Sequence, residues 1–339
     1  MKRTLSFCTS TLMLFSLFLV SPVVSNAKTV TLKYSNFFPP THIQSKLAES
    51  WAKEVEMQTE GRVKVEYYPG GSLLKAKQTY DGVVDGIADV GFTVLAYTRG
   101  RFPVTGALDL PFGYPSGKVA TAVANDLLDK LQPKEFDDTQ LMYLHAHGPG
   151  FINTREKAIT KMEDLKGMRI RSTGMSAEMV KALGGTPVAM GMGDAYQSLQ
   201  KGVVDGSAHP LEANGGWKLG EVVKHTVGAY ATAYTTTFIV TMNKDKWAGL
   251  DKKDQASIEA INKAWSIKHG EAWDSSDLGG LRFSLEQGNT VTGLPAKEVE
   301  RWKAAVAPVI DKYAAGLSKK NIDGAAVVKA IRDSLKANM

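Results

Sequence analysis

Apolar residues recur along the chain with two periods. Val30-Thr-Leu-Lys-Tyr34 alternates and is read as a strand. Ile43, Leu47, Trp51 and Val55 follow at helical spacing, with Thr41 and Gln44 as a capping box before them and Gly61 as a stop. Val63, Val65 and Tyr67 alternate again up to Pro69-Gly70-Gly71. A helix through Lys77 leads to a third, buried strand ending at Phe92. A Pro- and Gly-rich connection runs from Phe102 to Pro115, after which Val119, Val123, Leu127 and Leu131 mark a helix and Leu141–His147 a strand. Strands separated by helices at this rhythm predict parallel βαβ units.

The rhythm restarts after Gly148-Pro149-Gly150, where a crossing between domains is expected. Thr160 and Glu163 form a second capping box, with Gly167 closing its short helix. In Met168-Arg-Ile-Arg-Ser172 the two arginines share one face of a strand and Met168 and Ile170 the other. Helices from Ser176 and Asp194 flank a strand at Thr186–Met190, and the β-branched run Thr235–Met242 should return the chain to the first domain. Beyond Asp251 the pattern is mostly helical. The pentapeptide GVVDG occurs at Gly82–Gly86 and again at Gly202–Gly206, each copy between a helical and a strand-like segment. Two similar helix-turn-strand units are expected, each with its first glycine in the left-handed conformation that ends a helix.

The ends narrow the cellular setting. Lys2 and Arg3, the apolar run Leu12–Val20 and the small residues Ser25-Asn26-Ala27 read as a cleaved export signal over residues 1–27. The one cysteine, Cys8, leaves with it, so no disulfide is expected in the exported chain. The formal charge of +6 falls to +4 without Lys2 and Arg3, and no basic run traces a nucleic-acid backbone, so nucleic acid is not expected as a partner. An exported α/β enzyme remains an alternative, but there is no G-x-S-x-G elbow and no thiol nucleophile after export. Gly113–Lys118 is one residue short of a phosphate loop, and Gly191–Tyr196 lacks the last glycine of a dinucleotide loop. His145 and His147 share a strand face, where pocket lining or packing is the expectation rather than a metal site. No cofactor is expected.

Six segments together resemble the solute-binding proteins of tripartite ATP-independent periplasmic (TRAP) transporters, the dicarboxylate-receptor-like family. They are Tyr67–Leu73, Asp81–Asp89, Leu108-Asp-Leu-Pro-Phe112, Met162–Arg171, Met190–Gln200 and Val203–Pro210, in matching order across essentially the whole exported chain. The resemblance implies a two-lobed α/β periplasmic binding protein with hinge strands and a long helix bracing both lobes. Lobe I is placed at 28–149 with roughly 240–280 returning to it, lobe II at 150–239 with roughly 281–310, and a helical segment at 311–339. It implies capture of a small organic acid between the lobes and delivery to an ion-gradient-driven TRAP permease in the periplasm. A binding protein for an ATP-driven importer shares the lobed architecture and is the other alternative.

The resemblance places the family's carboxylate-binding arginine at Arg171, with Arg169 as the neighbouring candidate. It implies a polar cleft residue at Asn36, which as sequence alone is equally a turn asparagine, and it puts Met192 where relatives often carry an aromatic lid. Phe92 is expected to wall the cleft rather than fill core. Sialic-acid-binding members have a second arginine where the ungapped match puts Phe151, and an asparagine where this chain has His209. With Glu212 and Trp217 nearby, these departures favour a smaller or aromatic monocarboxylate, or an amino acid if Glu212 points inward.

Overall fold

In a computed structural model of the chain, residues 29–339 are described, and the expected export signal lies outside them. The strands in chain order are β1 (Val30–Asn36), β2 (Val63–Tyr68), β3 (Val90–Val94), β4 (Thr139–Ala146), β5 (Gly150–Thr154), β6 (Arg169–Ser172), β7 (Thr186–Ala189), β8 (Gly206–Pro210), β9 (His225–Gly228), β10 (Thr237–Asn243) and β11 (Thr290–Gly293). The helices are α1 (Ile43–Gln58), α2 (Thr79–Val84), α3 (Gly117–Leu131), α4 (Gly174–Ala182), α5 (Ala195–Gln200), α6 (Glu212–Gly216), α7 (Lys244–Ala248), α8 (Lys252–Glu286), α9 (Ala296–Ser318) and α10 (Gly324–Asn338).

The strands form two sheets, a five-stranded one in the order β2-β1-β3-β10-β4 and a six-stranded one in the order β11-β9-β5-β8-β6-β7. Each sheet is the centre of one lobe. β1 pairs in parallel with β2 and β3, while β10 runs antiparallel between β3 and β4. In the second lobe β6 is parallel to β7 and β8, and β5 is antiparallel to β8 and β9. Besides the helical crossings of α8 and α9 on either side of β11, the chain crosses as extended backbone from β4 to β5 and back from β9 to β10. The two extended crossings are bonded to each other, Gly150 N–H donating to Tyr234 O at 2.8 Å and His147 N–H to Thr236 O at 3.4 Å. Two adjacent extended strands joined in this way make a hinge.

Burial of apolar faces accounts for the layers. Trp51 and Val55 of α1 and Ile258 and Trp265 of α8 pack on one face of the first sheet, and Leu127 of α3 and Ile331 of α10 on the other. Ile152, Ile170 and Val180 fill the core of the second lobe. The 35 residues of α8 span about 50 Å at 1.5 Å rise per residue. Its first half packs on lobe I, while Ser284 near its end accepts from the Asn214 amide of α6 at 2.9 Å. α9 is a second brace: Trp302 and Val306 join the lobe II core, Ile310 and Leu317 the lobe I core. The helix runs unbroken through residue 311, where the helical pattern suggested a separate segment.

The repeated helix-turn-strand units exist, but not in the register of the pentapeptide. Gly82 lies inside α2, and a side chain there would collide with Leu74. The left-handed residue that ends this helix is Gly86, at φ +74°, and its counterpart is Gly202, at φ +68°. Asp89 then bonds Lys33 N–H with its carboxylate, as Asp205 does Arg169 N–H. The equivalent stretches are therefore Gly86-Ile-Ala-Asp-Val90 and Gly202-Val-Val-Asp-Gly206. The identical pentapeptides are offset from that match by four residues, about one helical turn.

Candidate ligand-binding site

A partly open cavity of about 40 Å³ lies between the lobes, beyond the C-terminal ends of β1, β3, β6 and β8. Strand ends of that kind are where open α/β sheets place ligands. Phe37 and Phe38 follow β1, Val94 ends β3, Arg171 and Thr173 come from the end of β6, and Ala208–Pro210 from β8.

Arg171 is 4% exposed. Its Nε and Nη2 donate to Met190 O at 3.2 and 3.0 Å and its Nη1 to Ala208 O at 3.3 Å. A guanidinium has five N–H groups, so two remain without a protein acceptor. No ion pair among the described residues includes it. Arg169, two residues earlier, is instead half-exposed and forked onto Asp205, its Nε and Nη2 reaching the carboxylate at 3.1 and 2.8 Å. The two arginines of the strand thus have different surroundings, and Arg171 is the one at the cavity.

The histidines at the site are neutral. His209 lines the cavity, but its Nδ1 is 2.9 Å from Ser207 Oγ and its Nε2 donates to Asn214 Oδ1 at 2.9 Å. Burial, with the nearby Arg171 charge, lowers its pKa to about 3. His147 donates from Nδ1 to Gly148 O at 2.6 Å, leaving Nε2 as an acceptor, and burial lowers it to about 4. His145 faces the lobe I core instead, accepting from Trp273 Nε1 at 2.9 Å and stacked on His269 at 4.4 Å. Glu212, at the start of α6, is 3% exposed and lies 2.6 Å from His42 Nε2 of lobe I. Its N–H donates to Asp277 Oδ1 of α8 at 2.7 Å. His42 is the actual cap of α1, taking the role expected of Thr41: its Nδ1 accepts from Gln44 N–H at 3.1 Å.

Aromatic rings form the rest of the wall. Trp217 stacks against Phe37 with ring centres 6.2 Å apart, and Trp273 against Phe238 at 4.9 Å. Phe38 lies within 6.0 Å of both tryptophans and of Phe238. Met192 lines the cavity, and its backbone N–H donates to Tyr97 Oη of lobe I at 3.0 Å.

Three expected cleft residues stand elsewhere. Phe92 is fully buried behind the wall, packed edge-on against His145 and His269 and covered by Phe38 and Phe238. Phe151 pairs with His209 in the sheet, but its ring packs with Leu211, Ala233 and Tyr230. Asn36 is the turn residue: its amide donates to Tyr67 Oη at 2.9 Å and its oxygen accepts from Phe38 N–H at 3.0 Å. Phe37, Phe38, Tyr97, Thr173, Phe238 and Trp273 were not anticipated. The paired aromatics before Pro39-Pro40 at a strand end were a usable signal; Trp273 sits within a long helix and offered none.

Residues 34–316 match the profile of the bacterial extracellular solute-binding proteins, family 7 (DctP). The chain belongs to that family. It is 27% identical over 326 residues to the C4-dicarboxylate-binding periplasmic protein DctP of Rhodobacter capsulatus, covering 93% of this chain and 95% of that one. Its fold matches a marine metagenome TRAP solute-binding protein specific for aromatic acid ligands, solved with metahydroxyphenylacetate, at TM-score 0.86 and 31% identity over 91% of this chain and 99% of that chain. A TRAP solute-binding protein of Rhodoferax ferrireducens with copurified benzoate matches at TM-score 0.86 and 29% identity, over 91% and 98% of the two chains. The α/β architecture expected from the strand rhythm, and the two-lobed solute-binding fold that the resemblance implied, are thus those of this chain. Among its described residues no helix is long and apolar enough to cross a membrane.

Proposed function

We propose that this TRAP solute-binding protein captures a small aromatic monocarboxylate between its lobes in the periplasm and hands it, chemically unchanged, to an ion-gradient-driven permease. The observation that carries the reading is Arg171, buried at an aromatic-walled cavity with two N–H groups unmatched. A carboxylate accepts two parallel charge-assisted bonds from such a fork, and a closed, apolar surround strengthens them. The tryptophan and phenylalanine faces suit an aromatic body. Binding of aromatic acids by the two related receptors supports the choice over a dicarboxylate.

Closure follows from contacts that join the lobes. Tyr97 to Met192 and His42 to Glu212 can form only when the cavity is shut, and a ligand bound by both lobes favours that state. Thermal unfolding against a library of aliphatic, aromatic and amino acids tests the reading. An aromatic monocarboxylate should stabilise the protein by about 2.7 kcal/mol at a hundredfold excess over Kd and be recovered intact. Sustained conversion of the ligand, or stabilisation by none of the aromatic acids, contradicts it.

A further inference from the structure

The cavity has a second ionisable group opposite in sign to Arg171, the carboxylate of Glu212. Gln44 N–H donates to His42 Nδ1, and a ring nitrogen that accepts carries no proton. His42 is therefore a neutral imidazole whose single N–H is at Nε2, 2.6 Å from Glu212 Oε1. The neighbour can stabilise the Glu212 carboxylate but does not cancel its charge. Asp277, which accepts the Glu212 N–H, is pushed up to about 8 by burial, with the Glu212 charge adding to the rise. Burial thus favours its neutral acid form. Arg171 is the only lysine or arginine among the residues lining the cavity, and His147 and His209 are neutral there.

We propose that Glu212 sets the charge specificity of the cavity: it rejects a second carboxylate on the ligand and accepts a hydrogen bond from a neutral donor substituent such as a hydroxyl or an amide. This rests on the reading that one ligand carboxylate meets Arg171. A monoanion then matches the single cation, while a dianion places an unpaired charge beside an existing carboxylate in a closed, apolar space. A donor substituent gives the Glu212 carboxylate a hydrogen-bond partner, which His42 Nε2, close by but not aligned for a hydrogen bond, does not supply.

The test uses pairs of ligands of nearly equal shape. Isophthalate is compared with 3-carbamoylbenzoate, and terephthalate with 4-carbamoylbenzoate, by calorimetric titration at pH 7, with benzoate as the reference. A hydrogen bond to a charged group is worth roughly 10- to 100-fold, so the monoamide should bind about 30-fold or more tighter than its diacid in at least one series. Glu212→Gln should shrink that ratio about tenfold or more. The ligand comparison is made on the unaltered protein and does not depend on the variant folding. Equal affinities of diacid and monoamide in both series, or a ratio unmoved by Glu212→Gln, overturn the proposal even though benzoate binds. Failure of benzoate itself to bind would instead overturn the aromatic-carboxylate reading beneath it.

Discussion

The two lobes present the same helix-turn-strand unit to the cavity and furnish it with opposite chemistry. Hydrogen bonding matches Lys33 and Asp89 of lobe I to Arg169 and Asp205 of lobe II, which brings Ser35 into register with Arg171 and Phe92 with Ala208. Two residues further along, Phe37 matches Thr173. Lobe II gains a guanidinium where lobe I has a small hydroxyl. Lobe I in turn gains bulk: Phe92 fills the space behind its strand ends, and Phe37 and Phe38 supply a flat apolar face. The small Ala208 offers its carbonyl to Arg171 and aims the guanidinium. Under the proposed function, lobe II supplies the cation for the ligand's carboxylate and lobe I most of the apolar face for its body.

Substitutions on the two sides should separate along that division. The largest effect is expected from Phe92→Ala, which removes a fully buried ring and should cost about 3–5 kcal/mol of folding stability, read by denaturant unfolding. Arg171→Ala should spare the fold but weaken benzoate binding by about 2–5 kcal/mol, roughly thirtyfold to several-thousandfold in Kd, with Arg171→Lys recovering part. Arg169→Ala, on the same strand but paired with Asp205, should leave Kd close to that of the unaltered protein. If Phe92→Ala behaves like Arg171→Ala, a loss of affinity without a loss of stability, the division between the lobes is wrong.

Smaller effects are expected from the turn after β1 and from the contact between the lobes. Asn36→Ala deletes the bonds to Tyr67 and to Phe38 N–H and should cost about 1–3 kcal/mol of stability, because it loosens the turn that aims the aromatic pair. Tyr97→Phe removes one bond between the lobes and should raise Kd by about twofold to tenfold through a less favoured closed state. Small-angle scattering with saturating benzoate should then show incomplete compaction compared with the unaltered protein. No difference in either readout would mean that this contact does not hold the lobes together.

Periodicity made the scaffold legible where one face of an element is exposed. Leu32 and Tyr34 of β1 are buried and alternate with exposed Thr31 and Lys33, and the Gly148–Gly150 stretch lies between β4 of one sheet and β5 of the other. It failed where both faces are covered. All five residues of β3 and all five of β5 are buried, so alternation cannot say which way Phe92 or Phe151 points. The same limit explains the misread glycine: Gly82 is needed for its fit against Leu74, a contact that depends on tertiary packing. Arg171 was legible only through the resemblance, which put the family's carboxylate-binding arginine at the second arginine of this strand; alternation by itself placed Arg169 and Arg171 on one face without choosing between them. The His42–Glu212 pair was not, since its members are far apart in the chain and meet only across the lobes.

That the unmatched edge of Arg171 receives the ligand's carboxylate is tested by a crystal structure of the protein with benzoate. The expected result is both carboxylate oxygens about 2.7–2.9 Å from the Arg171 guanidinium nitrogens, the spacing of charge-assisted bonds, with the ring against Phe37, Phe38 and Trp217. A benzoate bound in the cavity with its carboxylate turned away from Arg171, or held at Arg169 on the outer surface, would contradict it.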